Sequence, residues 1–197
     1  MNVLFIVIHC SATRADRPYG IEQLRRDHKA RGFRDIGYHI YVRRNGETIQ
    51  TRHLDQIGAH AKGFNACSIG VCYEGGLDSS GSPRDTRTFD QRAALAILLQ
   101  RLKDNYPNAM IVGHRDLILD RQGHLRKEVE EWLNVTQRTQ TTSAWHLRKS
   151  DIGTVPKACP CFDALTEYAG LMSNAAQSER LRTLYEQSTK EPSNDSV

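Results

Sequence analysis

A chain of 197 residues, 39% hydrophobic and 25% charged, holds enough apolar material for one domain and too little for two. Its net charge of +4 favours anionic partners only mildly, and with no dense basic stripe or nucleic-acid motif beside it, nucleic acid is not an expected partner. No apolar run is long enough to cross a bilayer, and an odd count of five cysteines argues against a disulfide framework.

The start, "MNVLFIVIHC", lacks the basic segment and cleavage site of a signal peptide, so the protein is expected to be cytoplasmic at synthesis. Within it "VLFIVIH" (3–9) is a β-prone run suited to a strand buried on both faces. The stretch from Ile21 to about Arg31 has the charge density of an exposed helix and is closed by Gly32. "GYHIYVRRNGETIQT" (37–51) places two β-prone runs around Asn45-Gly46 and predicts a hairpin. "SIGVCYEGG" (68–76) predicts a second core strand, followed by the polar loop "LDSSGSPRDTR". Thr88 and Gln91 have capping-box spacing and open a helix that must stop before Pro107. A short strand, "AMIVG" (109–113), follows, and "HLRKEVEEWLN" (124–134) predicts an amphipathic helix. Past Asp163, "ALTEYAGLM" and "SERLRTLYEQ" read as helical, and the last ten residues as disordered. Strands and helices alternate to about residue 118, which implies an α/β fold with a central mixed sheet flanked by helices.

His9 ends the first strand and His114 follows the strand "MIVG", and strand ends at a loop-lined edge are where sheet proteins place functional groups. Two such histidines and one thiolate make a three-ligand set suited to zinc, with the fourth position open as in catalytic sites. "KACPCFD" (157–163) offers two cysteines, Cys159 and Cys161, and puts Lys157 two residues before the first. A cation there is placed to stabilise the oxygen of a carbonyl under hydrolytic attack. Tyr38 and His39 are strand neighbours expected on opposite faces, so one at most belongs to the site. The same alternation makes Cys10 a poor partner for a metal at His9.

Five pieces, "IVIHCSAT", "GYHIYVRRNG", "GAHAKGFNACSIGVCYEGG", "IVGHRDL" and "KACPCFD", stand in an order that resembles the zinc-dependent N-acetylmuramoyl-L-alanine amidases of the phage-lysozyme and peptidoglycan-recognition-protein type. The resemblance implies His9, His114 and Cys159 as zinc ligands, Tyr38 and Lys157 as catalytic residues, and His60, Lys62 and Asn65 as substrate contacts in the loop "GAHAKGFN". It implies Zn2+ as cofactor, peptidoglycan or muropeptide as partner, and hydrolysis of the amide between the N-acetylmuramic acid lactyl group and L-alanine, as in an endolysin acting on the cell wall after release or export. A peptidoglycan-recognition module without catalysis and a partner-binding regulator are the alternatives. Cys161 is expected as a packed or semi-exposed thiol, with Cys67 and Cys72 in the core.

The chain departs from the family pattern in one place. Cys159 follows His114 by 45 positions, where the family's separation is much shorter. The expected organisation is therefore an amidase domain over 1–170, with an atypical insertion at 119–156, and a tail over 171–197. The insertion carries Trp132 and Trp145, and His124 and His146 as further ligand candidates. A monomer is expected.

Overall fold

The computed structural model describes residues 1–139, 149–154 and 158–172. In chain order its elements are β1 (Phe5–Cys10), β2 (Thr13–Arg14), α1 (Ile21–Ala30), β3 (Ile40–Val42), β4 (Thr48–Gln50), β5 (Ser68–Tyr73), β6 (Gly76–Leu77), α2 (Phe89–Asn105), β7 (Met110–Gly113), α3 (Lys127–Thr139) and α4 (Ala164–Glu167). Five strands form one sheet in the order β4-β3-β5-β1-β7, and β2 and β6 pair separately. β1 runs parallel to β5 and to β7, β5 is parallel to β3, and β4 alone is antiparallel to its neighbour β3. The mixed α/β sheet expected from the alternation of strands and helices is the one that forms.

β1 is an interior strand between β5 and β7 and is covered on both faces, which is why its sequence is a continuous apolar run rather than an alternating one. Strand alternation sends Ile6, Ile8 and Cys10 to one face, where they join Leu95, Leu99 and Leu102 of α2 in a single cluster. It sends Phe5, Val7 and His9 to the other. There Phe5 and Val7 pack with Phe64 and with Leu125, Val129 and Leu133. On the same face, farther along the sheet, Leu24 of α1 packs with Ile36, Tyr41 and Cys72. His9 pairs in register with Cys72, so it lies between these two apolar regions.

Local chemistry accounts for the boundaries. Thr88 Oγ1 accepts from the Gln91 backbone N–H and Gln91 Oε1 accepts from that of Thr88, both at 3.1 Å, so the expected capping box opens α2. α2 ends at Asn105, two residues before Pro107, which cannot continue a helix. At the hairpin Gly46 takes φ +81° and Asn45 Oδ1 accepts from the Glu47 N–H at 3.1 Å, as the Asn-Gly turn requires. α3 occupies Lys127–Thr139, later than the expected 124–134. With Leu125, Val129 and Leu133 all buried against the sheet, this part of the segment expected as an insertion is a core layer.

The chain then returns to the far face. Arg87, its side chain fully buried, donates two hydrogen bonds to Asp85 (2.9 and 2.9 Å) and two to Glu167 (2.8 and 2.7 Å). Its guanidinium also lies 3.3 Å from the centroid of the Phe162 ring. This clamp fastens α4 to the start of α2. Burial pushes the Asp85 carboxyl up, but the hydrogen bonds and charge of Arg87 outweigh it and its pKa ends below the usual value.

Two predictions follow from these contacts. Val129→Ala is expected to cost about 2 kcal/mol, through lost burial and a residual cavity, and to lower the urea midpoint with an unchanged slope. A surface attachment would change it by less than about 0.5 kcal/mol. Because Asp85 is more acidic folded than unfolded, its contribution is present above the unfolded pKa of about 3.9 and is lost as pH falls through the lower folded value. Urea midpoints measured from about pH 5 to about pH 2 should therefore fall less steeply in Asp85→Asn than in the wild type.

Candidate metal centre and active site

β1 and β7 are parallel, so their C-terminal ends share one edge of the sheet. His9 stands near the end of β1, and His114 directly follows β7, opening a 3-10 turn over His114–Leu117. Gly113 N–H donates to Asp116 Oδ2 at 2.7 Å, holding that turn against the strand end. The segment after α3 brings Cys159 to the same edge. Arg115 N–H donates to the Cys159 carbonyl at 2.9 Å, and the Tyr73 hydroxyl donates to the Pro160 carbonyl at 2.6 Å. A Cβ on Gly113 would lie 2.5 Å from Pro160 Cδ, so only glycine lets the turn press so closely on β7. Arg126 bridges the two loops, with Nη1 at 3.1 Å from Asp116 and 2.9 Å from Asp163.

The result is one group of three possible ligands. One atom each from His9, His114 and Cys159 lie within 4.8 Å of one another. His9 Nδ1 is 3.8 Å from Cys159 Sγ, and the His9 and His114 ring centroids are 4.6 Å apart. Nitrogen and sulfur ligands of one tetrahedral zinc are separated by about 3.5 Å, given bonds of about 2.1 and 2.3 Å. Two imidazoles and one thiol at this spacing fit zinc and leave a coordination position open. Cys10 is not in the group: its thiol lies on the opposite face, 3.8 Å from Cys161 Sγ, while its backbone N–H donates to Cys159 Sγ at 3.3 Å. Cys161 is half-buried, and Cys67 and Cys72 are buried. His124 is exposed beside Asp120, whereas Trp145 and His146 lie outside the described residues.

Around this group stands a belt of rings. Tyr38 is half-buried, 5.0 Å from the His9 ring centroid and 5.2 Å from that of His28. Burial, then the charges of nearby thiols, push its phenol well above the usual value, so Tyr38 is an O–H donor at neutral pH. The expected split between Tyr38 and His39 does not occur. Their rings lie 6.4 and 5.5 Å from that of His60, because β3 begins only at Ile40 and strict alternation does not reach residues 38 and 39.

The "GAHAKGFN" residues divide. His60 is 9% exposed and its Nδ1 lies 3.0 Å from His9 Nε2. Burial, joined by the like charges of His39 and His114, pushes its imidazole down to about 3, so it is neutral. Asn65 shapes the loop: its Oδ1 accepts from the His60 and Ala61 N–H groups at 2.8 and 2.9 Å. Lys62 is exposed. Lys157 lies outside the described residues, which resume at Ala158. Sequence reasoning missed the Arg126 bridge and the Arg87 clamp, because their partners are 37 and 80 positions away.

The family model described as N-acetylmuramoyl-L-alanine amidase matches residues 1–128. The endolysin of Enterobacteria phage K11 is 42% identical over 110 residues, covering 56% of this chain and 73% of that protein. The endolysin of Escherichia phage T7 is 38% identical over 112 residues, covering 57% of this chain and 74% of that protein. Among solved structures, the amidase LysC from Clostridium intestinale URNW aligns with a TM-score of 0.51 at 28% identity, over 68% of this chain and 86% of its own. Cys159 lies beyond the matched span, and the fold is what carries it back to His9 and His114. The chain belongs to the N-acetylmuramoyl-L-alanine amidase family.

Proposed function

We propose that this amidase hydrolyses the bond between the lactyl group of N-acetylmuramic acid and L-alanine in peptidoglycan, with zinc held by His9, His114 and Cys159. The observation that carries the reading is the convergence of two imidazoles and a thiol at one sheet edge, in a chain of this family. When bound, zinc supplies Lewis acidity and a hydrolytic water of lowered pKa.

The protein's own residues supply the rest. His9 is buried while His114 and Cys159 are half-buried, so the site meets solvent and substrate on one side only. Tyr38, protonated and beside His9, donates its O–H toward the scissile carbonyl oxygen as that oxygen gains negative charge. Lys157 takes the same task as a cation, a role that rests on the "KAC" resemblance. Lys62, exposed on the loop after His60, is the substrate contact we assign to a sugar or stem-peptide group. In this reading the site of action is the cell wall after release or export and the partner is peptidoglycan, in keeping with the name endolysin that its relatives carry. No helix among the described residues is long and apolar enough to cross a membrane.

The test is turnover of purified muropeptides by zinc-loaded and chelated protein, with products read by mass. Release of intact stem peptide with a free L-alanine amino end, lost on chelation and restored by zinc, is the expected result. Bound zinc without cleavage would favour a recognition module. Cys159→Ser is expected to weaken zinc binding by at least ~100-fold and to remove activity with it. Tyr38→Phe and Lys157→Ala should each keep one equivalent of zinc and lower kcat about 10²–10³-fold. Near-native kcat in either variant would remove that residue from the mechanism.

A further inference from the structure

The His60 side chain is buried, and both of its ring nitrogens have partners within the protein. Nδ1 is 3.0 Å from His9 Nε2, and Nε2 is 3.5 Å from Ser68 Oγ. The direction of the protons can be worked out from the far end. Ser68 Oγ donates its single hydrogen to the Phe64 carbonyl at 2.7 Å, so toward His60 it can only accept. His60 must then carry its proton on Nε2, which leaves Nδ1 as an acceptor. His9 must in turn carry its proton on Nε2 and donate it to His60. His9 Nδ1 then faces the side where Cys159 Sγ lies 3.8 Å away.

The slot around His60 is built for that ring. A Cβ on Gly70 would lie 2.6 Å from His60 Cδ2, and one on Gly58 would lie 2.5 Å from it. The backbone is pinned as well, since the His60 and Ala61 N–H groups both bond to Asn65 Oδ1. His39 forms one wall, its ring centroid 5.5 Å from that of His60. It is fixed in turn by Nδ1 accepting from Gly70 N–H (2.9 Å) and Nε2 donating to the Gln56 carbonyl (2.8 Å).

The geometry points to His60 as a positioning residue for the metal centre: its Nδ1 holds His9 in the one tautomer and ring orientation that aims Nδ1 at His114 and Cys159. This rests on the zinc reading above, and it moves His60 from the substrate contacts implied by the family resemblance to the layer beneath the ligands. Partners of this kind, which fix the far nitrogen of a ligating imidazole, typically change metal affinity 10–100-fold when removed.

The test measures zinc affinity in the full-length protein by competition with a chromophoric chelator, alongside muropeptide binding and circular dichroism. His60→Ala should remain folded and bind zinc about 10–100-fold more weakly. His60→Asn, whose side-chain oxygen can replace the Nδ1 acceptor, should recover most of the loss. Lys62→Ala should leave zinc affinity unchanged. If His60→Ala does not fold, Ser68→Ala supplies the second measurement: freeing the relay's far end should weaken zinc a few-fold, between the wild type and Cys159→Ser. Folded His60→Ala with zinc affinity within about twofold of wild type would overturn the inference while leaving the metal centre intact. Lost muropeptide binding with unchanged zinc affinity would overturn it in favour of a substrate contact. Wild type and Cys159→Ser with equal zinc affinity would overturn the metal centre, and the inference with it.

Discussion

The site depends on a single long-range closure. Cys159 Sγ meets His9 Nδ1 across 150 positions of sequence, and no local preference could bring them together. What holds the closure is a set of contacts on either side of the thiol: the Arg115 N–H on the Cys159 carbonyl, the Tyr73 hydroxyl on the Pro160 carbonyl, and Arg126 spanning Asp116 and Asp163. Arg87 anchors the following turn through Phe162 and Glu167. Guanidinium groups suit this task, because a planar fork can satisfy two carboxylates at once and its direction is fixed once it does. The ion pairs matter here less for net stability than for defining where one loop ends relative to another.

β1 sorts the chemistry by simple alternation. Odd positions from Phe5 to His9 face the α1 and α3 side, and even positions from Ile6 to Cys10 face α2. The ligand histidine and the neighbouring thiol, adjacent in sequence, thus belong to different environments. Gly76 shows how tightly the thiol side is packed, since a Cβ there would stand 2.5 Å from Cys10 Sγ. On the histidine side the packing is aromatic, with Tyr38, His60 and His114 all ringed around His9. Apolar clusters border both, so the polar centre is carried on a rigid support.

Much of this was legible in the sequence where the cause is local. The run "VLFIVIH", the Thr88–Gln91 cap and the Asn45-Gly46 turn each encode their own structure within a few residues, and each forms as expected. The three ligand candidates were legible too, through motif order. What was not legible arises from tertiary packing. Nothing near residue 60 says that its ring slides under His9, because the space it fills is made by Gly58 and by Gly70, which belongs to another strand. Tyr38 and His39 misled because alternation was applied to residues that precede the regular strand. The helix after His124 is legible in its amphipathic pattern, but its role as a core layer depends on Phe5 and Phe64, far away in the chain.

The separation of His114 from Cys159 has a consequence of its own. The entropic cost of closing a flexible loop grows only logarithmically with its length, by about 0.6 kcal/mol for each doubling. Once both ends are anchored, here by Arg115 to Cys159 and by Arg126 to Asp163, the connection between them is nearly free to lengthen. Evolution can therefore experiment in that interval without disturbing the distance between a histidine and a thiol. Here that interval holds a helix packed on the sheet, so the geometry of the site and the outline of the domain can change independently.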